Sequence, residues 1–232
     1  MKERELIICA AENRSKLYWF MGTLFLTKPD KEFIALLSDE LSSVANDILK
    51  TEIEALRRSL ETRHTSDLAE QLEHEFTRLF RGIHNNYGPP PPYESVYRES
   101  NIMGDSTRAV IECYSEAGFG EIDKSAGPQD HLGVELKFIA LLCQRESQQR
   151  EAGKDTDALN TLKMEKAFLN DHLLQWMPDF QGAVARHDPH PFYEALVSLT
   201  SRVLVLDNEY ITGLLSELEK DEEIHDRSVV SG

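Results

Sequence analysis

An all-α fold, one bundle of about eight or nine helices, is what this sequence predicts, and three observations carry the prediction. Apolar residues recur at helical spacing along nearly the whole chain. Proline, glycine and cap-forming residues divide these stripes into segments of helix length. Only Val203-Leu204-Val205-Leu206 looks strand-like, and its length and surroundings favour a buried turn of helix. With 232 residues, 41% of them hydrophobic, the chain can bury one full core, so a single domain is expected over residues 1–218.

Taken in order, Leu17, Phe20, Met21, Leu24 and Phe25 follow the i, i+3, i+4 pattern of one buried helix face. Asp30 is placed to cap the next helix, whose stripe is Phe33, Leu36, Leu37 and Leu41, and one or two helices run on to about Leu60. From Ser66-Asp67 onward, Leu68, Leu72, Phe76, Leu79 and Phe80 form another stripe that stops near Gly82; Asp67 and Glu70 resemble a capping box. The segment His84 to Pro92 contains four consecutive prolines, which lack amide donors, so an exposed, stiff connection is expected there. A helix from Asp105 as N-cap to Ala117 follows, then a glycine-bracketed loop, Gly118 to Gly127, that could act as a hinge. Pro128 suits the first turn of the next helix, which carries Leu132, Leu136, Ile139, Ala140 and Cys143. Helices from Thr156 to Trp176, ended by Pro178, and from Pro191 to Leu218 complete the bundle, and the charged residues 219–232 read as an unstructured tail.

The balance of 25 Lys and Arg against 41 Asp and Glu gives a formal charge of -16, which repels nucleic-acid phosphates and anionic membranes and attracts a cationic partner. Such a surface also simply keeps a soluble protein dispersed. The first residues show no secretory signal, and the longest uncharged apolar stretch, Leu17 to Thr27, is far short of the roughly 20 residues that span a bilayer. Cys9, Cys113 and Cys143 are odd in number and form no CxxC pair, which suits reduced thiols in a cytoplasmic protein.

Little in the sequence points to catalysis. His131 and Glu135 are four apart on one predicted helix, a spacing that could hold a metal, but no HExxH motif or carboxylate-rich partner accompanies them; no metal or cofactor is expected. Ser95, Ser100 and Ser106 lie in no GxSxG context, and no cysteine has a histidine placed by sequence to activate it. Acidic runs at Glu73-His74-Glu75 and Asp221-Glu222-Glu223 read as solvated faces. More suggestive is the crowding of Tyr87, Tyr93, Tyr97 and the Phe76 to Phe80 helix end around the proline loop, since rigid aromatics make large contacts at low entropic cost. Core packing and a peptide-binding groove both fit that crowding.

At these residues the chain resembles the TorD/DmsD family of redox-enzyme maturation chaperones. Phe76-Thr77-Arg78-Leu79-Phe80 matches the family's aromatic-x-x-Leu-Phe motif, and GPPPPYESVY, Gly88 to Tyr97, matches its proline-rich stretch. Met103 to Thr107 with Tyr114 to Phe119 resembles the next helix. Pro128-Gln129-Asp130-His131 resembles the hinge motif Glu-Pro-x-Asp-His, with Gly127 in place of the Glu, and Phe168, His172 and Trp176 keep a later Phe-x-x-x-His-x-x-x-Trp arrangement.

The resemblance implies a partner: the twin-arginine signal peptide, and with it the catalytic subunit, of a molybdenum-containing reductase or dehydrogenase, bound until its cofactor is inserted. It implies a site of Phe76, Leu79, Phe80, Pro92, Tyr93, Asp130 and His131, with Asp130 exposed for a peptide arginine and His131 for a backbone carbonyl. As ordinary structure, Asp130 would instead be a helix-start carboxylate and His131 a satisfied surface histidine. The competing readings are a nucleotide hydrolase, for which no phosphate cradle or carboxylate cluster is visible, and a purely structural subunit. A homodimer could form by exchange of the C-terminal half across the Gly118 to Gly127 hinge.

Overall fold

The computed structural model describes residues 2–43, 47–61, 65–81, 87–187 and 189–230. Gly82, residues 84–86 of the proline loop and residues 231–232 of the expected tail lie outside these. Among the described residues ten α-helical segments follow one another: α1 (Lys2–Leu26), α2 (Lys31–Ser43), α3 (Lys50–Leu60), α4 (Thr65–Phe80), α5 (Glu94–Glu99), α6 (Asp105–Glu116), α7 (Leu132–Glu151), α8 (Asp155–Phe168), α9 (Leu174–Ala185) and α10 (Pro191–Val230). Because a π-helical turn, Leu169–Leu173, joins α8 to α9 without a break, these two form one rod. Among the described residues there is no strand, only an isolated bridge between Tyr93 and His131. The fold is the all-α bundle the periodicity predicts.

The long pairing of α1 with α7 is the spine of the bundle; α8 lies on α7, α10 runs against α3, α8 and α9, and α5 sits between α6 and α9. Two glycines make the spine possible. A Cβ on Gly22 would meet the carbonyl oxygen of Gly133 at 2.7 Å, and one on Gly133 would meet Leu26 Cγ at 2.6 Å, so the start of α7 can approach α1 only without side chains there. On α1, Met21, Leu24 and Phe25 are buried as their spacing predicts, but Leu36 on α2 is 66% exposed. One aromatic cluster joins Phe25, Phe76, Phe80, Phe180 and Tyr193 in edge and tilted contacts, and another joins Tyr114, Phe138 and Phe168.

The core also holds charge. Arg14 on α1 pairs with Glu146 on α7, Glu165 on α8 and Asp207 on α10, and the Tyr18 hydroxyl donates to Asp207 at 2.8 Å. A planar guanidinium with several donors can satisfy three carboxylates from three helices at once.

Several helix ends differ from the sequence expectation. Asp30 does cap α2, accepting from the Phe33 amide at 2.8 Å. Asp105, by contrast, is the first residue of α6, and Gly104 is its N-cap; the Glu99 carboxylate, reaching from α5, accepts from the amides of Asp105 at 2.7 Å and Ser106 at 2.6 Å. Pro128 lies before α7, whose N-cap is His131. Pro178 lies inside α9 rather than ending a helix. The π turn just before it loosens the hydrogen-bond ladder, so the proline ring and its missing amide are accommodated within the rod. Helix α10 continues past Leu218, the expected helix end, to Val230. In the proline loop Pro89 and Pro92 are buried instead of exposed. Burial is tolerated because no amide goes unpaired and the carbonyls of Pro90, Pro91 and Pro92 accept from the Tyr97 hydroxyl, the Tyr93 amide and the Leu132 amide.

Candidate functional site

Two short segments far apart in sequence, residues 92–95 and 130–133, lock together. The Glu94 amide donates to the Asp130 carbonyl and the Leu132 amide to the Pro92 carbonyl, both at 2.9 Å, and the Ser95 amide donates to Asp130 Oδ2 at 2.9 Å. Asp130 therefore supplies an acceptor to the first turn of α5, where unpaired amides and the helix dipole favour a carboxylate. It is wholly buried. The exposure expected of Asp130 is thus wrong, because its charge is taken up by the backbone of another element.

His131 is the N-cap of α7: its Nδ1 accepts from the Gly133 amide at 3.1 Å, and its ring stands edge-on to Tyr93 at 5.0 Å. Burial, reinforced by the positive charge of Arg81, pushes its pKa down to about 3, so the ring is neutral. With Nδ1 accepting, the proton sits on Nε2. His131 is a buried cap, not the surface residue the sequence suggests.

Phe25 and Leu26 from α1, Phe76 and Phe80 from α4, Arg81, Ala126 and His131 enclose a cavity of about 210 Å³. Three of the seven expected site residues, Phe76, Phe80 and His131, thus meet around one space, and Tyr93 borders it through its contact with His131 and a 3.4 Å hydrogen bond to the Ala126 carbonyl. Leu79, Pro92 and Asp130 are buried and do not line it. Of the lining residues that sequence reading missed, Arg81 adjoins the aromatic motif, whereas Leu26 and Ala126 carry no local signal. A second, wider space of about 680 Å³ runs along α4 to the start of α10, lined by Asp67, Glu70, His74, Glu75 and His190 among others.

The loop between α6 and α7 is pinned rather than loose. Gln129 accepts from the Ile122 amide at 2.9 Å and donates to the carbonyls of Asp123 and Gly127 at 3.1 Å, while Lys137 pairs with Asp123 at 3.0 Å. Gly127, where the family motif has Glu, takes φ of 80°, a left-handed conformation that suits glycine.

Behind the interlocked segments lies a buried polar network. Glu94 accepts from Arg98 and lies 2.9 Å from His172 Nδ1; the Trp176 indole donates to Glu135 at 3.2 Å. Burial, then the charges of Glu94 and Asp130, holds Glu135 well above the usual carboxylate range. His131 and Glu135, the spaced pair considered for a metal, therefore serve different partners, and no three His, Cys, Asp or Glu groups among the described residues are arranged to hold a metal ion. No helix among these residues is long and apolar enough to cross a membrane. The fold does bring a histidine to a cysteine: His172 Nε2 lies 3.5 Å from Cys113 Sγ, across 59 positions that no sequence spacing would connect.

Comparison with known proteins shows what the chain is similar to. The family model described as nitrate reductase delta subunit matches residues 46–181, more than half of the chain. Chaperone protein TorD of Photobacterium profundum is 28% identical over 211 residues, covering 87% of this chain and 95% of that protein. Chaperone protein TorD of Vibrio cholerae is 27% identical over 219 residues, covering 89% and 95%. A solved structure from Archaeoglobus fulgidus, described as a redox enzyme maturation protein, is 24% identical, with a TM-score of 0.39 over 66% of this chain and 82% of that one.

Proposed function

The chain belongs to the nitrate reductase delta subunit family, which includes the TorD chaperones, and from that premise we propose that it is a maturation chaperone, not an enzyme. It acts in the cytoplasm on the precursor of a molybdopterin-containing oxidoreductase, binding the twin-arginine signal peptide until the cofactor is in place. The observation that carries this reading is the extent of the match: relatives named as TorD chaperones align over 87% and 89% of this chain and 95% of their own length, which supports one shared role for the whole domain.

A peptide of this class offers two arginines followed by an apolar segment. In this reading the apolar segment sets a side chain into the cavity walled by Phe76 and Phe80, Tyr93 covers it from the rim, and His131 Nε2–H donates to a peptide carbonyl. The arginines meet the acidic space along α4, around Asp67, Glu70 and Glu75, in place of the buried Asp130. Leu79, Pro92 and Asp130 act from behind by holding these groups in position.

Calorimetric titration with a synthetic twin-arginine signal peptide tests this. Binding in the micromolar range or tighter is expected, weakening as salt rises and disappearing when the apolar segment is made polar. Failure to bind any signal peptide of the host's molybdoenzymes would refute the reading. Tyr93→Ala, at a half-buried position, should lower affinity about tenfold while the melting curve stays close to that of the parent.

A further inference from the structure

Of the three cysteines, Cys9 is exposed, Cys143 is buried and Cys113, on α6, is intermediate. Cys113 Sγ lies 3.5 Å from His172 Nε2, and the other ring nitrogen, Nδ1, lies 2.9 Å from Glu94 Oε2. Glu94 is in turn held by Arg98. A thiol, an imidazole and a carboxylate in this order make an activated nucleophile: the carboxylate orients the ring, and the far nitrogen takes the proton of the thiol. The ring cannot swing away, since it is buried and stacked on Phe168 at 4.6 Å. A cavity of about 100 Å³ opens beside the sulfur, lined by Cys113, Ala117, Phe138, Met164, Phe168 and His172. No part of the signal-peptide reading uses these groups.

We propose that Cys113 is a modification site, a reactive thiol that exchanges with a small disulfide entering the cavity between α6 and α8. Sγ attacks one sulfur of the disulfide RSSR; the S–S bond breaks, and its electron pair leaves on the other sulfur. That thiolate takes the proton held on His172 Nε2. The products are Cys113–S–SR and RSH, so Cys113 is oxidised while one half of the disulfide is reduced.

The charge on His172 favours this chemistry. Burial opposes the imidazolium, but hydrogen bonds to Cys113 and Glu94 outweigh it and push the pKa up to about 9. Thiolate is the attacking form, and a cationic imidazole beside the sulfur favours it. Glu116 and Asp171 at the cavity wall, and Glu94 with Arg98 behind the ring, are the other charged groups facing it. Cys143 is the opposite case: burial pushes its pKa well up, and it stays a thiol.

The test uses the full chain and hydroxyethyl disulfide, a small neutral reagent, with acid quenching and mass-spectrometric mapping of each cysteine. At neutral pH Cys113 is expected to react at least roughly tenfold faster than the more exposed Cys9 of the same molecule. Its excess over Cys9 should shrink as pH rises through about 9, where His172 gives up its charge. In folded His172→Gln the excess and its dependence on pH should both vanish. Equal rates at Cys113 and Cys9 in the parent protein, or an excess that survives in folded His172→Gln, would overturn the proposal. If that variant does not fold, the parent's pH profile decides alone: an excess of Cys113 over Cys9 that does not shrink as pH rises through about 9 counts against the proposal.

Discussion

The carboxylate of Asp130 accepts the backbone amide of Ser95 at 2.9 Å, across 35 positions of the chain. With the Glu94 amide on the Asp130 carbonyl and the adjoining Tyr93–His131 bridge, this contact ties the first turn of α5 to the start of α7. Asp130→Ala should therefore act on the fold first. Loss of the acceptor leaves a buried amide unpaired, and urea unfolding should show a loss of about 1–3 kcal/mol. A variant that melts like the parent yet loses peptide affinity would return Asp130 to direct contact with the ligand.

Gly133 tests the spine. A methyl group there would press on Leu26 and on the Gly22 carbonyl, both rigid parts of the helix pair, and Leu26 also lines the cavity. Gly133→Ala is expected to lower stability by roughly 1–3 kcal/mol through overpacking. Peptide affinity should fall with it, because α7 and its cap His131 are displaced together. Unchanged melting would show that the two helices can separate without cost.

Arg14 stands among three buried carboxyl groups, and removing it takes away the guanidinium that meets Glu165 and Asp207 and leaves Glu146 with Arg150 alone. Arg14→Met should cost roughly 3–5 kcal/mol, and Arg14→Lys should recover only part of the loss, since a single ammonium cannot face Glu146, Glu165 and Asp207 at once. Thermal or urea melts of the two variants give the comparison directly. An Arg14→Lys variant as stable as the parent would mean that total charge, not donor geometry, is what matters.

Stability should fall on the alkaline side. His172, ordinarily near 6.5, is raised to about 9, so its contribution is complete below 6.5 and is lost as pH rises through 9. Glu165, ordinarily near 4.5, is raised to about 8 chiefly by burial, with Arg14 opposing; its contribution is likewise lost as pH rises through 8. His131 works in the other direction: lowered to about 3, it contributes above 6.5, and that contribution is lost as pH falls through 3. Urea midpoints measured from pH 6.5 to 9 should decrease steadily, and His172→Gln should reduce the slope. A midpoint that rises over this range would contradict the assigned charge states.

Local information explains what could be read in advance. The Met21, Leu24 and Phe25 stripe and the Asp30 cap depend on residues within one or two turns, and both are found as expected. Asp105 has the composition of a cap, but Glu99 of the preceding helix already takes the amides of that first turn. Pro178 has the composition of a helix stop, but the π turn one turn earlier absorbs it. Phe76, Phe80 and His131 do meet around one cavity, whereas Leu79, Pro92 and Asp130 belong to its support.

The amino-acid order by itself determined the helices, the acidic surface and the family to which the chain belongs, because periodicity, charge and ordered motifs are properties of neighbouring positions. Only the tertiary structure decided whether Asp130 faces a ligand or a backbone amide, and whether Cys113 stands alone or beside His172. A polar side chain goes where its hydrogen-bond partner is, and for these residues the partners lie 35 and 59 positions away, on other elements whose approach the packing of α1, α5, α6 and α7 sets.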